Sequence, residues 1–168
     1  MAFRTWNGPM PTSAAQQSVT TGTAVKTMLQ VASPSTRLLR IISWGFSVDD
    51  PPGADGVVEL LQTDTAATVT AHVASGIVNT DPNGSASLVT LGTSATGYTS
   101  SAEGTPAALR VLDVVSLSST SGESPLVYTY QFMPDERPII AVSKFLRIRA
   151  TTPTTAVDMR CWVTWDEL

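Results

Sequence analysis

The chain offers very little thiol or imidazole chemistry. Cys161 is the single cysteine and His72 the single histidine among 168 residues. An intrachain disulfide and a structural zinc site of Cys and His ligands are therefore both excluded. Cys161 lies in the alternating apolar segment MRCWVTW, which favours a small buried side chain over a reactive thiol.

Charge is also scarce. Charged residues make up 14% of the chain, against about 25% in average soluble domains, and Lys26 and Lys144 are the only lysines. The net charge of -4 argues against a nucleic-acid partner, which requires a basic surface. So few charges favour a protein that covers much of its surface with neighbouring molecules.

Long apolar segments are missing. No apolar run approaches the roughly 20 residues of a membrane span, and the N-terminal residues MAFRTWNGPMPTS lack the apolar centre of a secretory signal. We therefore expect no membrane partner, and a protein that is soluble when it is made.

Catalytic signatures are absent as well. The sequence contains no GxSxG, GxGxxG or GxxxxGK[ST] motif. Glu59 and Asp113, on predicted strands, could form the carboxylate pair of a glycosidase, but arginine partners are the simpler expectation for them. Aspartate, proline and glycine are typical of turns, so the Asp-rich segments 49–56 and 79–85 do not require a calcium site to account for them. We expect no enzyme and no catalytic, cofactor-binding or metal-binding residues.

Threonine and serine are abundant, with 24 Thr and 18 Ser. Threonine favours strands, serine marks turns, and several segments alternate between apolar and polar residues with the period of two that strands require. Residues 64–74 fit a short helix or a strand, and residues 93–107 fit a polar loop. Strand segments are predicted over 24–32, 37–50, 57–63, 76–92 (two strands and a turn), 108–118, 125–132, 139–145, 145–152 and 156–168.

This pattern predicts an all-β fold, a β-sandwich of jelly-roll-like type, as one domain over residues 23–168. Residues 1–22 have no period and are expected to form an extended N-terminal arm. The arm contains Phe3 and Trp6, which a disordered tail rarely carries. They fit docking onto a partner and packing against their own domain equally well.

Two predicted strands carry arginines among apolar residues. In RLLRIISWGFSVDD (37–50), the bulkier face, Leu38 to Val48 at alternate positions, is expected to point into the core, with Arg40 at its rim or paired. In FLRIRATT (145–152), Arg147 and Arg149 share one face. These arginines could pair with carboxylates on neighbouring strands, contact another protomer, or lie in solvent.

The segments TMLQVASPSTRLLRIISWGFSVD, VELLQTDTAATVTAHV and PIIAVSKFLRIRATTP resemble small head proteins of tailed bacteriophages, chiefly those of actinobacteria. The resemblance covers residues 26–165 and carries no catalytic motif. It implies a minor capsid or decoration (cement) protein, made in the host cytoplasm and located on the capsid surface of the virion. Its implied partners are the major capsid protein and further copies of itself, with a trimer as the expected oligomer.

Two other functions stay open. Exposed aromatic side chains such as Trp162 could make the protein a carbohydrate-binding module that contacts a host glycan, and the protein could also be a tail or head-completion component. The side chains expected at partner contacts are Phe3, Arg4, Trp6, Arg40, Arg147, Arg149 and Trp162.

Overall fold

Alternating residues of the strands meet in one core between two sheets. The computed structural model describes residues 1–9, 17–122 and 127–168, and all strand pairs in these ranges are antiparallel. The predicted all-β sandwich is confirmed. The strands are β1 (Ala2–Trp6), β2 (Val19–Thr20), β3 (Lys26–Ala32), β4 (Leu39–Val48), β5 (Gly56–Thr63), β6 (Thr68–Ala71), β7 (Val78–Asn79), β8 (Gly97–Ala102), β9 (Leu109–Leu117), β10 (Val127–Gln131), β11 (Ile139–Ile140), β12 (Phe145–Thr151) and β13 (Asp158–Glu167).

One sheet has seven strands and the other six. The order of the first is β10-β4-β13-β1-β7, with β11 paired to β4 and β2 paired to β13. The order of the second is β6-β8-β3-β12-β5-β9. Strands β9 and β10, joined by residues 118–126, therefore lie at the outer edges of the two sheets.

The core consists of the inward faces of these sheets. Trp44 and Phe46 from β4 pack with Trp165 from β13 on one side, and Leu60 and Ile148 come from the other sheet. Cys161 is fully buried in this core, and burial raises the pKa of its thiol well above the ordinary value, although a hydrogen bond from the Asn7 backbone opposes this. Its predicted role as a small apolar residue agrees with this placement.

The N-terminal segment is part of the sandwich, which corrects the expectation of an arm over residues 1–22. Strand β1 pairs with β13 along its whole length and with β7 on its other side, and β2 pairs with the start of β13. Residues 10–16 of the expected arm lie outside the described part of the chain. The first strand lacks an obvious alternating pattern because it is short and flanked by Gly8 and two prolines.

One loop prediction is also corrected, and one open choice between a helix and a strand is decided for the strand. Residues 97–102, expected in a polar loop, form β8, which joins β3 to β6. Residues 68–71, in the segment that fitted either a helix or a strand, form β6. Both strands contain mostly Thr, Ser and Ala, so they lack the apolar side chains by which strands are recognised in a sequence.

Candidate partner-binding surfaces

Phe3, expected at a partner contact, is a core residue. It is 3% exposed, and its ring centroid lies 6.1 Å from that of Trp165 between the sheets. A partner cannot reach this side chain without unfolding β1. The prediction that Phe3 contacts a partner is therefore wrong, whereas Trp6, three positions later on the opposite side of β1, is half exposed.

Arg147 is likewise fully buried, on the outer face of the six-strand sheet. Two loops cover it: its Nη1 donates to the Glu103 carbonyl at 3.1 Å and to Glu103 Oε2 at 3.4 Å, and its Nη2 donates to the Thr65 carbonyl. Burial lowers the pKa of Arg147, and the Glu103 charge opposes that effect. Arg147 attaches these loops to the sheet and is not a partner contact in this structure.

The neighbouring arginines form ion pairs within the chain. Arg149 Nη2 lies 3.0 Å from Glu59 Oε2, and Arg40 Nη2 lies 2.6 Å from Asp166 Oδ2. The Met1 ammonium contacts the same carboxylate at 2.7 Å. Burial raises the pKa of Asp166, but hydrogen bonds and charge from Met1 and Arg40 outweigh it, so that the pKa is lowered. Of these arginines Arg40 is the more exposed.

Asp113 and Glu59 do not form a catalytic pair. Glu59 faces outward to Arg149, whereas Asp113 pairs with Leu60 of the core and faces inward. Asp113 Oδ2 accepts hydrogen bonds from Trp44 Nε1 at 3.0 Å and from the Tyr128 hydroxyl at 2.9 Å.

These two hydrogen bonds join the edges of the two sheets across the core. Burial raises the pKa of Tyr128 to about 12, and its hydrogen bond to Asp113 adds to the shift. A phenol that stays protonated keeps this contact in place at neutral pH. The Asp113 carboxylate therefore has a structural role. Asp113 and Glu59 point to opposite faces of the six-strand sheet.

Trp6 of β1 and Trp162 of β13 are directly paired across the two strands, on the outer face of the seven-strand sheet. With Arg4, Arg160 and Ser47 they line a depression of about 300 Å³, which we call the aromatic face. The Arg4 guanidinium lies 5.9 Å from the centroid of the Trp6 ring, within the range of a cation–π contact. Three residues of the expected contact set thus share one surface.

A glycine holds the Trp162 ring against the sheet. Gly45 of β4 pairs with Trp162, and a Cβ atom at Gly45 would come within 2.4 Å of Trp162 Cζ2. The indole therefore lies against bare backbone and remains half exposed. The ladder partners of Arg160 and Thr164 on β4 are Ser47 and Ser43, which are small and polar.

His72 is buried and contacts β1. Its Nε2 lies 2.7 Å from the Trp6 carbonyl oxygen and 3.3 Å from Thr5 Oγ1. Burial lowers the pKa of His72, while the hydrogen bond to Trp6 opposes this. The side chain is therefore neutral at pH 7 and supports β1 from within.

We expect the free energy of unfolding to fall as the pH drops below 6.5, the ordinary pKa of histidine. The unfolded chain takes up a proton there that the buried His72 does not, so the loss is at most about 1.4 kcal/mol per pH unit. Urea unfolding at about pH 7 and about pH 5.5 measures it, since most carboxylates titrate below this window. His72→Gln should remove the difference, and an equal pH dependence in both proteins contradicts this account.

The second surface is the open edge, which we define as β9 with its outward row Leu109, Val111, Val114 and Ser116. In the described residues β9 pairs with β5 only, so no strand pairs with its other side, although the Val114 backbone N–H donates to Asp113 Oδ1 at 2.9 Å. Leu109, Val111 and Val114 are each half exposed or more. The charged residues of β9 point elsewhere: Arg110 Nη1 donates to the Ile139 carbonyl, and Asp113 faces the core.

The Asp-rich segments behave as turns. Asp55 accepts hydrogen bonds from the backbone N–H and the hydroxyl of Ser119, and Asp81 accepts one from the backbone N–H of Asn83. Within residues 1–9, 17–122 and 127–168, no group of three His, Cys, Asp or Glu side chains is arranged to hold a metal ion. In the same ranges no helix is long and apolar enough to cross a membrane.

Comparisons of the chain with protein-family models, with curated proteins and with solved structures gave no match.

Proposed function

We propose that this protein is a capsid decoration protein, a structural component that binds the outer surface of a tailed-phage head and reinforces it as an oligomer. The open edge is the observation that carries the proposal. A long apolar edge strand in water invites pairing with other chains, and natural monomers usually shorten, charge or cover such edges. Strand β9 has nine residues, and its outward row of Leu109, Val111, Val114 and Ser116 is uncharged, although Arg110 of the same strand is exposed.

A neighbouring copy of the same chain is the occupant that we propose for the open edge. In a contact between identical copies, an uncharged row does not bring like charges together, whereas a charged row can do so. If the edge meets a different part of the next copy, the contact is heterologous, and a threefold rotation between copies closes it into the trimer expected from the sequence. Linked copies then hold a capsid with greater avidity than one copy.

The resemblance to phage head proteins favours the phage head as the larger assembly. The ion pairs within the chain favour a protein partner over a nucleic acid. Arg40, Arg147 and Arg149 all have carboxylate partners within the chain, so they do not require a nucleic acid. A sandwich in which these three arginines are paired internally and an apolar edge is exposed suits a scaffold role. Attachment to the major capsid protein and location on the head follow from the proposal.

We expect Val114→Lys to shift the protein toward the monomer, because it places a charge at the centre of the open edge. Light scattering on the purified protein measures the mass, with Val25→Lys as a control at a similarly exposed valine outside the edge. The control should keep the wild-type mass. A wild-type protein that stays monomeric both in solution and on particles contradicts the proposed oligomer.

Quantitative mass spectrometry of purified virions, with electron microscopy of labelled protein, tests the location. We expect label on the head and a copy number near that of the major capsid protein. Label confined to the tail or to a head vertex assigns the protein to tail or head completion instead. Absence from the particle overturns the proposal.

A further inference from the structure

The aromatic face has a chemistry that the proposed scaffold role does not use. Trp6 and Trp162 lie side by side there, each partly exposed, whereas the other two tryptophans, Trp44 and Trp165, are fully buried in the core. Exposing two large aromatics without a partner loses the burial that favours such side chains in the interior. Their placement on neighbouring strands makes a flat apolar surface of fixed geometry, because both strands belong to the same sheet.

Two arginines flank the indoles, and neither has a carboxylate partner in the described part of the chain. Arg4 Nε donates to Thr164 Oγ1 at 2.9 Å, and its guanidinium stacks on Trp6. Arg160 makes no hydrogen bond or ion pair with described residues, and its buried Nε has no acceptor. Asp158, the next residue but one along β13, instead accepts a hydrogen bond from Thr20. The guanidinium groups are therefore available to an anion.

Most of the rest of this surface is small and polar. Ser47 lines the depression, and the neighbouring outward positions are Ser43, Gly45, Thr129 and Gln131, with the exposed Val127 as the ladder partner of Ser47. A protein-binding site of ordinary size has an apolar centre with a polar rim. Here the aromatic patch is narrow and hydroxyl groups adjoin it directly. Sites for small ligands combine flat apolar walls with a few placed polar groups in this way.

We infer that the aromatic face binds a saccharide that carries a negatively charged group, either a carboxylate or a phosphate. The apolar face of a sugar ring can stack on an indole, and its hydroxyl groups can reach Ser47. Arg160 and Arg4 present planar donors that match carboxylate and phosphate oxygens. This site lies on a different sheet from the open edge, so the protein can bind the saccharide while the edge is covered by another copy.

Tryptophan fluorescence reports on this site selectively, because Trp6 and Trp162 are accessible and the other two tryptophans are not. The full-length protein is titrated at constant ionic strength with trigalacturonate, with glucose 6-phosphate and with neutral galactotriose. We expect a saturable change with at least one of the anionic sugars and binding about tenfold or more weaker for the neutral one. The two anionic sugars distinguish a carboxylate from a phosphate ligand.

Arg160→Gln is the decisive variant, with Arg37→Gln as its matched control. Arg37 is exposed at a distance from the aromatic face, and both substitutions remove one positive charge. We expect Arg160→Gln to weaken binding about tenfold or more and Arg37→Gln and Val114→Lys to leave it unchanged. Circular dichroism verifies that each variant is folded.

Three results overturn the inference. The first is no saturable response to either anionic sugar, and the second is equal affinity for the neutral sugar. The third is equal weakening by Arg160→Gln and Arg37→Gln, which indicates only long-range charge attraction. If fluorescence instead changes with protein concentration alone, in step with the mass from light scattering, a second copy covers this face and the saccharide is excluded.

Discussion

Arg147→Met should lower the free energy of unfolding by about 3–5 kcal/mol, the range found when one partner of a buried ion pair is removed. The methionine occupies much of the same volume, but the Thr65 and Glu103 carbonyls lose their donor and the Glu103 carboxylate loses its cation. Single domains are stable by only about 5–15 kcal/mol, so a loss of this size is readily measured as a shift in the urea midpoint.

Arg149→Met is the matched control for this prediction. Arg149 lies on the same strand and pairs with Glu59, but its side chain is 14% exposed whereas that of Arg147 is fully buried. We expect a smaller loss of about 1 kcal/mol, since water compensates for part of the broken pair. The double variant Arg147→Met/Glu103→Gln should recover some stability relative to Arg147→Met. Equal losses for the two single variants contradict the structural role assigned to Arg147.

Gly45→Ala should be the second large effect, with a loss of about 3 kcal/mol in the free energy of unfolding. The added Cβ would lie 2.5 Å from the Tyr128 carbonyl oxygen as well as 2.4 Å from Trp162 Cζ2. The indole can tilt away, but the carbonyl belongs to β10, which pairs with β4 at this position. The clash between the added Cβ and this carbonyl is therefore removed only if β4 and β10 separate locally.

Gly22→Ala provides the control, because a Cβ there meets its nearest atom at an ordinary 3.5 Å. We expect its effect to stay within about 0.5 kcal/mol, as for most surface substitutions. Thermal or urea unfolding compares the two variants with the wild type. A Gly45→Ala protein as stable as Gly22→Ala shows that the contact with Trp162 and β10 is looser than the structure describes. Fluorescence of Gly45→Ala should also change, since Trp162 must move.

The inward faces of some strands could be predicted from the sequence, and those of others could not. In β13 the alternation is unbroken in sequence, and the apolar face that includes Met159, Cys161 and Val163 lies in the core. In β4 the prediction is right from Trp44 to Val48 but wrong before it. Leu39 and Ile41 point inward there, and Arg40 lies on the outer face beside Asp166.

A β-bulge explains this difference. Thr164 pairs with Ser43 and Trp165 pairs with Ile41, so that Ile42 is an extra residue in β4. One extra residue reverses the alternation on one side of the bulge. Strand β9 has a similar irregularity, since Leu60 pairs with Asp113 and Leu61 with Val111. As a result, Val114 points outward with Val111, although the simple alternation placed them on opposite faces.

The candidate surfaces were only partly visible in the sequence. Trp6 and Trp162 were both expected at partner contacts, but nothing local indicated that they meet each other, because β1 and β13 lie at opposite ends of the chain. The open edge was missed altogether. An open edge is an apolar strand with no neighbour on one side. Whether β9 is such a strand depends on the order of strands in the sheet, and not on the residues of β9 alone.

Composition and alternation by themselves determined that this chain forms strands, that one cysteine cannot form an intrachain disulfide, and which residues of β12 and β13 share a face. These properties follow from side-chain type and the period of two along a strand. Only the tertiary structure decided that Arg147 is buried under two loops, that Phe3 belongs to the core, and that β9 is an edge. Each of these depends on which distant segments lie beside one another, and strand pairing between distant segments is not encoded by any local pattern.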